Sequence, residues 1–136
     1  MSKRAVNTEA AIHVAAFRAA LRSFLRESEV AARAGGLTPQ RYLLLLMVKG
    51  APDGSEQATV SELVERLGLA QSTVTELVNR AEEVGLIERE PSVHDGRVAH
   101  VRLTRDGEQR LAASFTRLDV EREQLRQAFS ELDEEP

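Results

Sequence analysis

Residues 59–105 constrain the fold of this chain more than any other segment, because their pattern indicates a short helix, a turn, a second helix and two strands. Thr59 and Glu62 have the spacing of a capping box, in which a hydroxyl and a carboxylate each satisfy a free backbone N–H at a helix start. We therefore predict a helix from Val60 to Leu67. After a glycine turn, apolar residues at helical spacing predict a second helix from about Gln71 to Val84.

Two runs of alternating apolar and polar residues follow these helices and predict two strands, Leu86 to Glu90 and Val98 to Leu103. Paired as a β-ribbon, they would carry an arginine, Arg97, near the tip, where it can enter the narrow minor groove of DNA. The second helix offers short polar side chains that suit the major groove. This order of elements predicts a winged helix-turn-helix, with the helix-turn-helix at 59–84 and the wing at 86–103.

Helices are also predicted on both sides of this segment. The first runs from about Thr8 to Arg33. Its apolar residues recur every three or four positions and share one stripe: Val14, Phe17, Leu21, Phe24 and Leu25. A helix from Pro39 to Lys49 is apolar nearly all round and should be the central buried helix. Thr104 should cap a last long helix to about Ser130, whose heptad spacing predicts lengthwise packing on the first helix of the same chain or of a second copy.

The composition, 42% hydrophobic, 29% charged and 4% aromatic, fits one soluble, mainly helical domain spanning 1–136. The longest apolar run, Tyr42 to Val48, is far shorter than the ~20 residues that cross a bilayer, and no secretory signal opens the chain. We therefore expect a cytoplasmic protein without membrane contact. The net charge is −4, and residues 59–105 hold more acidic than basic residues, so DNA binding should be modest and salt-sensitive.

Neither a metal site nor an enzyme is expected. The chain has no cysteine, and its three histidines, His13, His94 and His100, fall on different predicted elements. Ser92, His94 and Asp95 lie too close together on one turn to face a shared reacting atom. No glycine-rich phosphate loop is present. We therefore predict no catalytic residue and no cofactor.

An ordered set of short motifs lies within 37–107: Leu37-Thr38-Pro39-Gln40-Arg41-Tyr42, Thr59-Val60-Ser61-Glu62-Leu63, Ser72-Thr73-Val74-Thr75, Gly85-Leu86-Ile87, Asp95-Gly96-Arg97 and Leu103-Thr104-Arg105-Asp106-Gly107. With these motifs the chain resembles the MarR family of bacterial transcriptional regulators. The resemblance implies a DNA-binding core at 37–105 and a homodimer built by long helices at 8–33 and 106–132. It also implies repression of nearby genes, relieved by a small aromatic or lipophilic effector bound between the two regions.

The same resemblance implies seven residues that contact double-stranded DNA or support that contact: Ser72, Thr73, Thr75, Asn79, Arg80, Asp95 and Arg97. The first three would read or flank bases. Asn79 and Arg80 would support phosphate contacts, Arg97 would enter the minor groove, and Asp95 would orient the wing.

Some of these residues also have simpler roles. Thr73 could serve only the helix start, Thr75 could be solvated, and Arg80 could pair with Glu83 or Glu76 on its own helix. Glu76 also departs from the family pattern, in which an arginine usually stands beside the threonine. An anion at this position would repel phosphate and lower the affinity, or it would accept a hydrogen bond from cytosine N4.

Two further departures concern the start of the second helix and the end of the chain. Ala70 stands where the family has a hydroxyl or carboxylate cap, and losing such a cap typically costs ~1 kcal/mol. The chain ends at Pro136, soon after Leu132, which predicts a smaller or differently arranged dimer interface. The acidic balance also leaves a rival function open: a winged-helix module that binds a protein through its wing or its acidic C-terminal tail and no longer binds DNA.

Four residues on the first two predicted helices are candidate ligands for an effector: His13, Phe17, Tyr42 and Met47. The alternative is that they pack these helices together, because ligand pockets are few in any protein.

Overall fold

The computed structural model describes residues 5–91 and 98–132. Within them the chain forms, in order, α1 (Thr8–Ala34), α2 (Pro39–Lys49), β1 (Gln57–Ala58), α3 (Val60–Leu67), α4 (Gln71–Glu83), β2 (Ile87–Pro91), β3 (Ala99–Leu103), α5 (Arg105–Phe115), a 3₁₀ helix (Thr116–Leu118) and α6 (Asp119–Leu132). The fold is mainly helical with a small antiparallel sheet, as predicted. Among the described helices, none combines the length and the apolar character needed to cross a membrane.

The helix starts are set by side chains that bind free backbone N–H groups. At α3, the backbone N–H of Glu62 donates to Thr59 Oγ1 at 3.2 Å, and the N–H of Thr59 donates to Glu62 Oε1 at 2.8 Å. The predicted capping box is therefore confirmed. Helix α2 begins at Pro39, behind a cap by Thr38, and α1 begins behind Asn7, whose Oδ1 accepts from two backbone N–H groups.

The core forms around α2, as its apolar run predicts. Leu44, Leu45 and Val48 have no exposed surface. They belong to one buried cluster with apolar residues from α3, α4 and the sheet, including Leu63, Val74, Val78, Ile87 and Val101. Burying a side chain of this size contributes about 1.5–3 kcal/mol. This packing fixes which face of α4 is turned to solvent.

The sheet has three strands, in the order β1-β3-β2, where two were predicted. Strands β2 and β3 pair from Ile87 opposite Leu103 to Pro91 opposite Ala99, and they form the stem of the predicted wing. On the other edge of β3, Gln57 pairs with Arg102. Strand β1 was not among the strands predicted from the sequence. A strand of two residues is too short to show the alternation that marks a strand in sequence.

The predicted continuous helix at the C-terminus is also wrong, because α5 ends at Phe115 and α6 begins at Asp119. Arg122 Nη1 donates to the backbone carbonyl of Phe115 at 2.8 Å, so this carbonyl, which a continuous helix would pair with the N–H four residues later, has another partner. The same guanidinium lies 4.0 Å from the centre of the Phe115 ring. Thr116 Oγ1 donates to the carbonyl of Ala112 at 3.2 Å, a bond that tends to bend helices.

The two ends of the chain meet through α1 and α6, where the rings of Phe17 and Phe129 pack edge to face, 6.0 Å apart. The C-terminal helix therefore packs on the first helix of its own chain. The predicted stripe of α1 is not fully used in this contact. Val14 and Leu25 are 52% and 55% exposed, and Phe129 is 56% exposed. Apolar surface on this helix pair is consequently left open to a further partner.

A close backbone contact joins α5 to the start of β2. Thr104 Oγ1 donates to the carbonyl of Gly85 at 2.6 Å, and the backbone N–H of Thr104 donates to the carbonyl of Leu86 at 3.0 Å. Gly107 is buried beside them. A Cβ atom at this glycine would lie 2.1 Å from the carbonyl oxygen of Leu86. We call this contact the α5–β2 junction.

Candidate nucleic-acid interface

Helix α4 has one buried and one exposed face, as its sequence predicts. Val74, Val78 and Ala81 have no exposed surface. The opposite side carries the residues expected to face DNA. Ser72 and Asn79 are exposed and Thr75 is half-buried. The buried face holds the helix against the core, so these polar side chains are presented from a rigid support.

A shallow concave surface on α4 brings together three of the predicted DNA-binding residues, Ser72, Thr75 and Asn79. Gln71 and Glu76 also line it. These positions recur at helical spacing and so lie on one face. Thr73 and Arg80 are exposed but are not part of this lining. The chemistry of the surface is that of hydroxyls and amides with one carboxylate. We call it the reading surface.

Arg80 pairs with Glu76, which is one of the two alternatives that the sequence left open. Arg80 Nε and Nη2 lie 3.1 Å and 3.0 Å from Glu76 Oε1, and both side chains are about two-thirds exposed. An exposed pair of this kind stabilises a helix by only about 0.3–0.5 kcal/mol. Its larger consequence is electrostatic, because the carboxylate offsets the charge of the cation that was predicted to support a phosphate contact.

Arg89 on β2 was not singled out from the sequence, yet it touches two residues of α4. Its Nη2 donates to Asn79 Oδ1, and its Nε lies 3.3 Å from Glu82 Oε1. Alternation along a strand places Arg89 on the same side as the buried Ile87, facing α4. That alternation is the sequence feature from which the contact of Arg89 with α4 could have been predicted.

The tip of the wing, with Asp95 and Arg97, lies outside the described residues. The stem that leads to it is described. Arg102 on β3 pairs with Glu90 on β2 at 3.2 Å across the stem. The roles of Asp95 and Arg97 stay predictions.

The start of α4 is uncapped, as the sequence predicts. Ala70 occupies the cap position with extended backbone angles, φ −61° and ψ 148°, and its side chain makes no hydrogen bond to the free N–H groups. Those N–H groups at the end of the helix nearest Ser72 are left to water or to a ligand.

The four candidate effector residues have different surroundings in the structure. Tyr42 is buried in the core, where burial raises its pKa, partly opposed by the charge of Arg122 and a hydrogen bond with Ser28. Phe17 packs on a ring of α6 and His13 is half-buried on α1. Their surroundings favour the packing alternative.

Met47 lines a separate cavity beside the loop that follows α2. A different cavity lies between α2 and α5. Its volume is about 310 Å³, and it is lined by Leu46, Lys49, Glu108, Leu111, Ala112 and Phe115. The Lys49 ammonium at its edge lies 2.7 Å from Glu56 and 2.9 Å from Glu108, and these hydrogen bonds raise the pKa of Lys49. The lysine thus links the loop before β1 to the start of α5.

The helix pair α3–α4 with the adjoining β2–β3 stem defines a winged helix-turn-helix protein. Residues 35–98, which are just under half of this chain, match the MarR family. The HTH-type transcriptional repressor IacR of Pseudomonas putida is 35% identical over 78 residues, which are 57% of this chain and 45% of that protein. The match therefore spans less than half the length of this relative.

Solved structures share the fold. The transcriptional regulator Tm0710 from Thermotoga maritima is 28% identical with a TM-score of 0.60, and the similarity covers 87% of this chain and 81% of that one. A mutant MarR from E. coli, crystallised in complex with operator DNA, has a TM-score of 0.62 over 85% of this chain and 75% of that one. At 19% identity, the second comparison establishes the fold alone.

Proposed function

We propose that this protein is a homodimeric transcriptional regulator that binds a pseudo-palindromic DNA site, with half-sites about one helical turn, ~34 Å, apart. The observation that carries the proposal is α4, a helix anchored by a completely buried face and exposing short polar side chains on the other. Hydroxyls and amides of this size reach base edges in the major groove without steric conflict. The DNA-bound relative of the same fold supports this arrangement. Such a regulator would act in the cytoplasm.

Specificity in this proposal comes from Ser72, Thr73 and Thr75, while Asn79 and Arg80 contribute phosphate contacts. Arg97 would enter the minor groove, with Asp95 orienting the wing. The exposure of the α4 residues and the position of the stem support these assignments.

Apolar surface on α1 and α6 supports the homodimer. Residues on both helices are more than half exposed in the single chain: Ile12, Val14, Leu25, Val30, Val120 and Phe129. On α1, Val14 and Leu25 are eleven residues apart and therefore lie on one side of the helix, and apolar exposure along one side of a helix marks an interaction surface. Sedimentation equilibrium is the direct test, and a monomer at micromolar concentration would contradict the homodimer.

A small aromatic or lipophilic effector would fit the cavity between α2 and α5 better than a site formed by His13, Phe17, Tyr42 and Met47. The cavity touches α5 and the lysine that connects it to the loop before β1, so occupation there would change how the helix pair α1–α6 and the DNA-binding core are joined. Filling the cavity with Ala112→Trp should abolish release of DNA by any such compound, while leaving DNA binding itself intact.

The rival function, a protein-interaction module, is favoured by Glu76 and by the acidic balance of residues 59–105. Mobility shifts with the duplex upstream of the protein's own gene, at low and high salt, separate the two functions. We expect a shift at low salt that is lost at high salt, because phosphate contacts release counterions. Glu76→Arg should tighten binding to unrelated duplex as well. If neither the wild type nor this variant binds any duplex, the protein is not a DNA-binding regulator.

A further inference from the structure

One side chain connects the reading surface to the wing stem. Arg89 on β2 reaches α4 with two of its nitrogens: Nη2 donates to Asn79 Oδ1, and Nε lies 3.3 Å from Glu82 Oε1. Asn79 and Glu82 are three residues apart and therefore adjacent on the helix surface. Asn79 also lines the concave reading surface, one helical turn from Thr75 and Glu76. It is thus held from the wing side while facing the predicted DNA side.

The donor chemistry of arginine fixes how the Asn79 carboxamide is turned. A guanidinium has five N–H donors and no acceptor, so the atom that faces it must be the carboxamide oxygen. The amino group is then the branch turned away from Arg89. An unrestrained asparagine can present either its oxygen or its amino group, whereas this one presents two N–H donors.

The charge of Arg89 is paired with a carboxylate of the protein itself. The carboxylate of Glu82 offsets it, and the side chain is only 34% exposed. A paired and partly buried guanidinium is poorly placed to bind a DNA phosphate directly. Its effect on DNA is instead exerted through the residue that it orients.

We propose that Arg89 is a positioning residue for DNA recognition: it orients Asn79 so that the amide N–H groups donate to an acceptor on the duplex. The acceptor is a phosphate oxygen or a base atom such as guanine N7 or O6. The inference rests on the proposed function, since it requires that α4 faces DNA. It adds a residue outside the reading surface to those that set affinity.

The orientation of Asn79 can be tested without DNA. The sequence contains two asparagines, Asn7 and Asn79, so selective ¹⁵N-asparagine labelling gives side-chain signals from two NH₂ groups, each a pair at one ¹⁵N frequency. Asn7 caps α1, far along the chain from Arg89, and serves as the internal reference. Arg89→Ala and Arg89→Lys should both shift the Asn79 signal, because lysine keeps the charge but lacks the planar fork. Unchanged Asn79 signals in both variants would overturn the proposal.

The matched control is Arg102→Ala. This change removes another arginine–glutamate pair of the same wing stem, at 3.2 Å from Glu90, without touching α4. It should leave the Asn79 signal in place and alter DNA affinity little. Thermal melts of each variant would show whether the fold is retained.

The DNA experiment is a double-mutant cycle. Arg89→Ala and Asn79→Ala should each weaken binding to the cognate duplex roughly threefold to tenfold, the loss expected for one hydrogen bond. In the Asn79→Ala background, Arg89→Ala should cause no further loss and leave the salt dependence unchanged. A purely structural role would persist in that background. Additive losses, or a salt slope reduced by ~1, would overturn the proposal in favour of a direct phosphate contact.

Two further comparisons distinguish the possible acceptors on DNA and show which of the two proposals a negative result rejects. If Asn79→Ala weakens binding to cognate and scrambled duplexes equally, the acceptor is a phosphate. If the loss of affinity is confined to the cognate duplex and is reproduced by 7-deazaguanine in that duplex, the acceptor is guanine N7. Wild-type protein that binds no duplex would reject the proposed function and this inference together. Wild-type binding with additive losses would reject this inference alone.

Discussion

Gly107→Ala should destabilise the protein, although glycine-to-alanine changes in open helices do the opposite. In an unobstructed helix interior the change stabilises by about 0.8–1.0 kcal/mol. Here the new Cβ would lie 2.1 Å from the carbonyl oxygen of Leu86, a backbone atom that no side-chain rotation can move aside. The same oxygen accepts the N–H of Thr104 at 3.0 Å, so moving it weakens the α5–β2 junction. Overpacking costs about 1–3 kcal/mol, and a clash with a backbone atom lies in the upper part of that range, at about 2–3 kcal/mol. After the helix gain, a net loss of about 1–2 kcal/mol is left.

Urea unfolding at a fixed protein concentration measures this difference, and the concentration matters because association of two copies would add to the apparent stability. The loss corresponds to a melting temperature lower by about 3–8 °C for a chain of this size. Gln109→Ala, at an exposed position of the same helix, is the matched control and should stay within about 0.5 kcal/mol of the wild type. If Gly107→Ala proves as stable as the wild type or more so, α5 and β2 are not in contact as described.

Three other perturbations have expected outcomes. Arg97→Ala should weaken binding to many sequences alike and lower the salt slope by ~1; an unchanged slope in a fluorescence titration would reject a phosphate or minor-groove contact. Ala70→Ser should stabilise the protein by about 1 kcal/mol, since it supplies the cap that α4 lacks; an unchanged urea midpoint would contradict this. The pKa of Lys49 is raised by hydrogen bonds to Glu56 and Glu108, so the stability it contributes is complete below its ordinary value of 10.5 and is lost as pH rises through the higher folded value. The difference in urea midpoint between wild type and Lys49→Met should therefore shrink only above about pH 10.5, and a difference that shrinks between pH 6 and 9 would refute the assignment to the ammonium.

Local bonding made much of the fold predictable. The starts of α2 and α3 were predicted because proline and the Thr59–Glu62 pair act within one helical turn, and both are found as predicted. The core face of α4 followed from spacing alone. These features need no knowledge of distant residues.

Long-range contacts explain what the sequence did not reveal. Strand β1 exists because Gln57 finds Arg102 across the sheet. The break between α5 and α6 depends on a side chain seven residues beyond the carbonyl that it captures. Arg89 reaches Asn79 only after β2 has folded against α4. Each case requires a partner whose position is set by the tertiary structure, so pattern and propensity could not supply it.

The anionic side chain of Glu76 would affect how a regulator of this kind is distributed between its intended site and the rest of the chromosome. Repulsion from phosphates lowers affinity for every stretch of chromosome equally, whereas contacts to bases favour one stretch over the rest. A genome offers about 10⁶–10⁹ competing positions. A regulator that binds non-specific DNA weakly keeps a larger fraction of its molecules free. Fewer copies per cell therefore suffice to occupy the intended site.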